Sequence, residues 1–562
     1  MTSDKAGVAL LAEIFVKKGM EHIVISPGSR NAPVILSFAN NPKINAISII
    51  DERSAAFFAL GMAQQSKKTV AITCTSGSAA LNYAPAIAEA YYQKVSLLVL
   101  TADRPEELID HGDGQTIRQN NVYANYIKKS FELPENISSE TEFENAVGII
   151  NEAINLTQYP DKGPVHINLP FSEPIYEQVS TLDFKFNLID PEPLRTKLEK
   201  EELQYFAETW NKSSKKLLIA GMMEYHPNLQ KVLKEITNDE TVVLLSETTS
   251  NLNGGCSCNC IDKTVSSIHE DEAELFCPDL LVTFGGHVVS KMIKAFLRKN
   301  KPAAHWHIDL EDFKMNTYQC LTNGIQMSPI DFFKEILPNI ELGNSNFKKT
   351  WKDRTLRSEI KHAAFLSKCE YSDLKVFETL LDSIPEESNL HLGNSTPVRY
   401  AQLFKPVRNF FYNSNRGVSG IDGTVSTAAG AAFINNKPTT IITGDLGFLY
   451  DSNALMNYHL KGNLRIIIIN NGGGGIFRFI SGPDKTENLE EFFEAKHNWN
   501  AKYVAKNFDI PYYTSNNMME LINILPLFYK PQQDNKPAIL EIFTPNEKNA
   551  EILKSYFKYL KD

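Results

Sequence analysis

Short apolar runs rich in valine, isoleucine and leucine recur along the whole chain with helix-length stretches between them, and that rhythm leaves few architectures open. Runs that are apolar at every position, rather than at every second one, suit strands covered on both faces. Their alternation with helical segments predicts βα units and parallel sheets. The runs fall into three groups. The first holds His22–Ile25, Ala46–Ile50, Thr69–Thr73, Leu97–Leu100 and Val165–Leu169. The second holds Lys216–Ala220, Val242–Leu245, Leu280–Phe284 and His305–Asp309. The third holds Phe410–Tyr412, Thr440–Thr443, Ile466–Ile469 and Ile539–Phe543. Polar stretches separate the groups, one containing Pro174, Pro191 and Pro193, the other rich in Asn and Lys between Pro338 and Asp353. At roughly 100–200 residues per domain, 562 residues allow about three to five domains, and the grouping selects three. The expected fold is α/β, with three tandem doubly wound parallel-sheet domains over residues 1–185, 186–345 and 346–562.

Composition excludes several classes of function. The formal net charge is −10 and no run of Lys and Arg reaches five, so no basic surface for nucleic acid is expected. No apolar stretch approaches the ~18–20 residues that span a bilayer, so no membrane association is expected. The apolar segment Ala6–Val16 is interrupted by Glu13 and followed by Lys17 and Lys18. It reads as an amphipathic helix closed by Gly19 rather than as an export signal. Seven cysteines in this length fit a reducing, cytoplasmic setting.

In open parallel sheets, ligands bind beyond the carboxyl ends of the strands, so the residues that follow each run carry the information. In the first group these are Ser26-Pro27-Gly28-Ser29-Arg30, Asp51-Glu52-Arg53, Cys74-Thr75-Ser76-Gly77 and Thr101-Ala102-Asp103-Arg104-Pro105. In the third they are Ser414-Asn415-Arg416-Gly417, Gly444-Asp445-Leu446-Gly447 and Asn470-Asn471 followed by Gly472 to Gly475. The second group offers only Gly285-Gly286-His287. Asp445 and Asn471 stand 26 residues apart, one βα crossover, and each follows a strand. A carboxylate, an amide oxygen and backbone carbonyls are hard oxygen ligands of the kind that hold Mg²⁺, which is commonly completed by substrate phosphates. The glycines would let the backbone approach a diphosphate closely. The same residues also read as an aspartate N-cap and a glycine-rich turn. There is no Gly-x-Gly-x-x-Gly, no Gly-Lys of a Walker loop and no His-Glu-x-x-His. Cys256-x-Cys258-x-Cys260 is read as a loop rather than a soft-metal site, because its spacing is not that of zinc pairs. His269 and His287 are read as ordinary structural residues.

The Asp445/Asn471 pair resembles the Mg²⁺–diphosphate motif of thiamin diphosphate (ThDP) enzymes, which also consist of three α/β domains. Leu446 departs from the usual Gly-Asp-Gly and points to one branch. The strings Ser26 to Arg30, Asp51 to Arg53, Thr101 to Pro105, Gly114 to Ile117, Gly393-Asn394-Ser395 with Arg399, Ser414 to Gly423, and Asn470 to Phe477 resemble the MenD family. These are the 2-succinyl-5-enolpyruvyl-6-hydroxy-3-cyclohexene-1-carboxylate (SEPHCHC) synthases of menaquinone biosynthesis. The likeness is dense in the first and third domains and thin in the second and towards the C-terminal end.

The resemblance implies decarboxylation of 2-oxoglutarate on ThDP and addition of the resulting semialdehyde carbanion to isochorismate, releasing CO₂. It implies Mg²⁺, with Mn²⁺ as a substitute, held by Asp445, Asn471 and Gly473. Asn394, Ser395, Gly420, Ile421, Asp422, Gly444, Leu446 and Gly474 would contact the cofactor, with Ile421 as the apolar wedge beneath it. Ile476 and Phe477 would line the substrate cavity. Glu52 would share a proton with the aminopyrimidine, helped by apolar surroundings that raise its pKa. Arg399 and Arg416 would hold the succinyl carboxylate. Arg30, Arg104 and Lys291 would face isochorismate, with Ser29 and Gln115 adding hydrogen bonds, since arginine pairs bidentately with carboxylates. Met292 stands where the family often has Arg, and Gly475 where some members have a polar side chain. The resemblance also implies a homodimer, or a dimer of dimers, in which Glu52 of one subunit meets Asp445 of another. The competing readings are a different ThDP-dependent 2-oxo acid decarboxylase or carboligase, and a non-catalytic protein of the same fold that only binds ligands.

Overall fold

The computed structural model describes residues 1–180, 184–252, 257–311, 315–407, 409–480 and 482–562. Three parallel sheets, each flanked by helices, follow one another along the chain. The first contains β1 (His22–Ile25), β2 (Asn45–Ser48), β3 (Val70–Cys74), β4 (Leu97–Asp103), β5 (Ser130–Glu132) and β6 (Pro164–Pro170) in the spatial order β2-β1-β3-β4-β6-β5. The second contains β7 (Lys216–Ala220), β8 (Val242–Ser246), β9 (Leu280–Phe284), β10 (Ala304–Asp309) and β11 (Asn323–Gln326) in the order β8-β7-β9-β10-β11. The third contains β12 (Asn389–Leu392), β13 (Phe411–Asn413), β14 (Thr439–Gly444), β15 (Leu464–Asn470), β16 (Tyr512–Ser515) and β17 (Ala538–Phe543) in the order β13-β12-β14-β15-β17-β16. The first and third sheets therefore share one topology, as internal duplicates would. A short antiparallel pairing of Thr2–Ser3 with Gln178–Val179 closes the first domain.

The continuous apolar runs behave as expected: β3, β4, β7, β8, β9 and β15 are buried at every position. Four strands carry no such run. β5, β11 and β16 are short and partly exposed, at or near sheet edges. β12 is fully buried but contains Asn389 and His391, and burial drives the His391 imidazole down to about 3, so it is neutral. Ala6–Lys17 is a helix, buried along most of its length, and Gly19 follows it at φ +78°. The helix Phe347–Leu366, just past the expected boundary at 345, packs Phe347 and Trp351 into the core under the second sheet. No described helix is long and apolar enough to cross a membrane.

Three helices position the site: α1 (Glu52–Ser66), α2 (Ala84–Gln93) and α3 (Thr424–Ile434). α1 belongs to the first domain and α3 to the third, yet they cross in contact. A Cβ at Gly61 would fall 1.9 Å from the carbonyl oxygen of Thr427, and one at Gly430 would fall 1.9 Å from that of Phe58. Backbone carbonyls cannot rotate away as a side chain can. Around this crossing, one hydrophobic cluster joins Phe57, Phe58 and Leu60 to Val425, Ala428 and Ala429 and continues to Ile441 and Ile466 under the third sheet. The first and third domains thus share a core. Replacing Gly61 by Ala in a helix interior would ordinarily add up to about 1 kcal/mol of helix preference. Here Gly61→Ala is expected to lose about 1–3 kcal/mol through overpacking, seen as a lower denaturation midpoint. An unchanged or raised midpoint would contradict the close crossing.

Candidate active site

The carboxyl ends of β14 and β15 lie side by side, with Gly444 paired to Ile469. Asp445 follows the first strand and Asn471 the second. The Asp445 carboxylate is buried, and its Oδ2 accepts from the backbone of Gly472 at 2.9 Å and of Gly473 at 3.0 Å, while Oδ1 accepts from Leu446 N at 2.7 Å. Gly472 and Gly473 adopt φ of +79° and +147°, open to glycine and strained for other residues. The two halves of the motif are therefore joined directly.

Asn471 shows what the pair can hold. Its Nδ2 donates to Asp373 Oδ2 at 3.3 Å, which orients the amide and leaves Oδ1 buried without a partner. A buried acceptor left unpaired is costly unless something occupies it. Among the described residues, no three His, Cys, Asp or Glu side chains form a metal-holding group. A cation here would have one carboxylate, one amide oxygen and backbone carbonyls, the oxygen set that fits Mg²⁺ and leaves positions for phosphate. The residues present fit that ion. Asp373, which lies outside every motif in the sequence, is fully buried; burial pushes it up to about 6, against the pull of bonds from Thr544 and Asn471.

Next to this site lies a cavity of about 250 Å³ lined by Lys291, Arg399, Ile476, Thr396 and Phe479. Arg399 reaches it from the helix Thr396–Ala401 after β12, and Lys291 from the start of the helix Lys291–Lys299. Ser290 caps that helix by accepting from Ile293 N at 3.1 Å. Glu247, after β8, fixes the approach by accepting from Val289 N and Ser290 N, both at 2.7 Å. Burial raises the Glu247 carboxyl to about 7. Arg416 follows β13, and its Nη1 donates to Asn394 Oδ1 at 2.8 Å. Asn394 Nδ2 in turn donates to the carbonyls of Asn415 and Gly420, tying together two loops named from the sequence. The Nε atoms of Arg399 and Arg416 are buried and unpartnered. Burial, then the neighbouring Arg399, holds Arg416 below its ordinary pKa. Two close guanidinium groups with unused donors call for an anion between them. Ile421 is partly exposed and lies beside Gly447, two residues on from Asp445. Ser395 and Ser419 take left-handed backbone at φ +73° and +63°. Phe477 packs on Phe493 at a ring distance of 5.7 Å.

On the first domain, Asp51 caps α1 through Ser54 N at 2.8 Å, and Glu52 opens the helix half-buried. Burial holds the Glu52 carboxyl above the usual range, opposed by a backbone hydrogen bond and helped by Asp51. Arg53 donates to Tyr450 O at 2.6 Å, fastening this end of the helix to the third domain. Arg30 is buried, donating to Phe171 O at 2.9 Å and pairing with Glu173 at 3.1 Å. Arg104 pairs loosely with Asp113 at 3.4 Å and keeps a buried, unpartnered Nε. Ser29 and Gln115 are exposed loop tips. Gln119, unremarked in the sequence, is the buried amide that joins the loops, accepting from Gly77 N and donating to Ala102 O. Arg30 and Arg104 thus sit on the first domain, whereas Lys291 lies with Arg399 and Ile476. Cys256 falls outside the described residues; Cys258 and Cys260 are free, and burial raises both thiols, Cys260 to about 11. His287 is half-buried, which lowers its pKa, and is bonded to the carbonyl of Arg416.

A doubly wound fold with an oxygen-donor pair beside a glycine loop, and a half-buried glutamate opening a helix in a second domain, defines the class of thiamin diphosphate enzymes. Residues 5–122 match the family described as "Thiamine pyrophosphate enzyme, N-terminal TPP binding domain". The chain is 46% identical to the 2-succinyl-5-enolpyruvyl-6-hydroxy-3-cyclohexene-1-carboxylate synthase of Flavobacterium johnsoniae, with 98% of each chain covered. It is 45% identical to that of Flavobacterium psychrophilum, again with 98% of each covered. It is 38% identical to that of Porphyromonas gingivalis, with 99% of this chain and 98% of that one covered. The chain belongs to the SEPHCHC synthase family.

Groups that orient a metal ligand are worth about 10–100-fold in affinity. Asp373→Ala is therefore expected to weaken Mg²⁺-dependent ThDP binding by about that factor, measured by isothermal titration calorimetry. Unchanged affinity would remove Asp373 from the site.

Proposed function

We propose that this protein is a SEPHCHC synthase: it decarboxylates 2-oxoglutarate and transfers the four-carbon remainder to isochorismate in menaquinone biosynthesis. The observation that carries the reading is a pair of arginines, Arg399 and Arg416, whose buried Nε atoms have no partner, together with the buried, unpaired amide oxygen of Asn471 at the oxygen site. When bound, ThDP supplies the nucleophilic carbon and the electron sink. Asp445, Asn471 and the carbonyl of Gly473 would hold Mg²⁺, or Mn²⁺ in its place. Gly444, Leu446, Gly474, Gly420, Asp422, Ser395 and Asn394 would shape the walls of the cofactor site, with Ile421 as an apolar support within it. Glu52 would share a proton with the aminopyrimidine ring nitrogen, and burial, which raises its pKa, suits it to that exchange.

The two substrates bring four carboxylates, and at least three remain after CO₂ leaves. Arg399 and Arg416 take the distal carboxylate of 2-oxoglutarate. Arg30, Arg104 and Lys291 take those of isochorismate, with Ser29 and Gln115 at the rim, and Ile476 and Phe477 exclude water. Glu173 must yield Arg30 to the substrate. A simple decarboxylase with a neutral acceptor would have no use for Arg30 and Arg104. We place the domain boundaries near residues 185 and 345 and the protein in the cytoplasm.

Membership of the family supports a site completed by a second subunit of a homodimer or dimer of dimers. Mixing inactive Glu52→Gln and Asp445→Ala homodimers is the direct test. If each site takes Glu52 from one subunit and Asp445 from the other, heterodimers regain one working site. No recovery after exchange of subunits would place both residues in the same chain's site. Glu52→Gln alone is expected to keep the fold and ThDP affinity while lowering kcat by about 10²-fold or more, the usual range for a proton-transfer group. The defining assay follows isochorismate loss with ThDP and Mg²⁺, with and without 2-oxoglutarate. Loss that does not depend on 2-oxoglutarate, or none at all, would overturn the assignment.

A further inference from the structure

Arg416 sits in a short segment whose two ends are fastened by a helix of another domain. From α2, Gln93 Nε2 donates to Ser414 O at 2.6 Å. One turn earlier on the same helix, the Glu89 carboxylate accepts from Gly417 N at 2.6 Å and from Val418 N at 2.8 Å. The i, i+4 spacing puts both side chains on one face, so the helix grips the segment on either side of Arg416. Contact extends to the backbone: a Cβ at Gly417 would fall 2.6 Å from Glu89 O, so no larger residue fits there without moving α2. His287 Nδ1 donates to Arg416 O at 2.7 Å from the central domain. The main chain of Arg416 is thus held on three sides, and its guanidinium keeps an unpartnered Nε.

A carboxylate in this position is an expensive way to join two domains. Glu89 is 1% exposed and has no basic side chain in hydrogen-bonding contact among the described residues; its two bonds come from backbone. Burial pushes it up to about 7, with the two N–H bonds and Arg416 acting against the rise. An apolar residue would fill the same space but leave the Gly417 and Val418 N–H groups without their acceptor. What Glu89 achieves is to fix the direction in which the chain leaves Arg416.

We infer that Glu89 and Gln93 are positioning residues for substrate recognition, a brace from the first domain that aims Arg416 at the carboxylate distal to the keto group of 2-oxoglutarate. This rests on the proposed role of Arg416. Glu89 touches neither substrate nor cofactor; it acts through the Arg416 loop.

The test measures Glu89→Ala, Glu89→Gln and Gln93→Ala against wild type, with 2-oxoglutarate and isochorismate varied separately. ThDP affinity is followed by calorimetry and stability by thermal midpoint. A misaimed arginine is expected to raise KM for 2-oxoglutarate by about tenfold to a hundredfold in Glu89→Ala. KM for isochorismate and the ThDP Kd should stay within about twofold. Glu89→Gln keeps one acceptor oxygen and should recover part of the loss, and Gln93→Ala should show a smaller shift of the same kind. If the variants that fold lower kcat, both KM values and ThDP affinity together with the midpoint, Glu89 is merely structural and the inference falls. Unchanged KM for 2-oxoglutarate in all three also overturns it. Should Glu89→Ala fail to fold, Glu89→Gln and Gln93→Ala decide. Wild-type protein that does not consume 2-oxoglutarate would overturn the functional assignment and the brace together, whereas wild-type turnover with uniform losses in the variants overturns only the brace.

Discussion

The backbone crossing of α1 and α3 is the interaction on which the rest depends. Gly61 and Gly430 let a first-domain helix touch the carbonyls of a third-domain helix, and vice versa. The hydrophobic cluster around that crossing belongs to neither domain alone. Each helix also begins at functional residues: α1 at Glu52, and α3 directly after the Gly420 to Gly423 loop that carries Ile421. A contact made deep in the core therefore sets where two strand-end loops stand relative to each other. Arg53 on Tyr450 and α2 on the Arg416 loop continue the same seam towards the surface.

One local device recurs where precision is needed. Asp445 accepts from Gly472 and Gly473, Glu247 from Val289 and Ser290, and Glu89 from Gly417 and Val418. In each case one buried carboxylate takes two successive backbone N–H groups. The loops so held carry Asn471, lead into Lys291, and carry Arg416. Successive N–H groups make a small concave donor site, and a carboxylate is the anion that fills it without a ligand. Burial raises the pKa of Glu89 and Glu247, as expected for anions removed from water and compensated by dipoles. The formal charge of −10 is thus partly spent on holding positive groups in place. This explains how an acidic chain can present a site built for anions.

Much of the architecture is legible in the chain itself, because continuous apolar runs report strands buried on both faces. The runs fail where burial is achieved by polar side chains, as with Asn389 and His391 in β12, or where an edge strand such as β5 needs little burial. The site divides in the same way. Asp445 and Asn471 are visible because their spacing equals one crossover, and Arg30, Arg104, Arg399 and Arg416 because they follow strands or sit in recognisable strings. Glu89, Asp373 and Gln119 are not visible, because each acts on a partner remote in sequence or on backbone atoms that no motif encodes. Glu89 meets a loop 328 residues away. A glutamate within an alanine-rich helix gives no sign of that from its neighbours. Cys260, in a cluster read as a loop because its spacing is not that of zinc pairs, is a buried thiol whose pKa burial raises.

The α1–α3 crossing also governs how the molecule can move. Helices that meet through long side chains can slide, because rotamers exchange and the interface repacks. Helices that meet carbonyl to Cα have nothing to exchange. Such a joint permits small rotation about the contact point but no shear, and separation would expose a shared core to water. Shear between the first and third domains of one chain is therefore closed off, and movement within the chain falls to the loops at the strand ends.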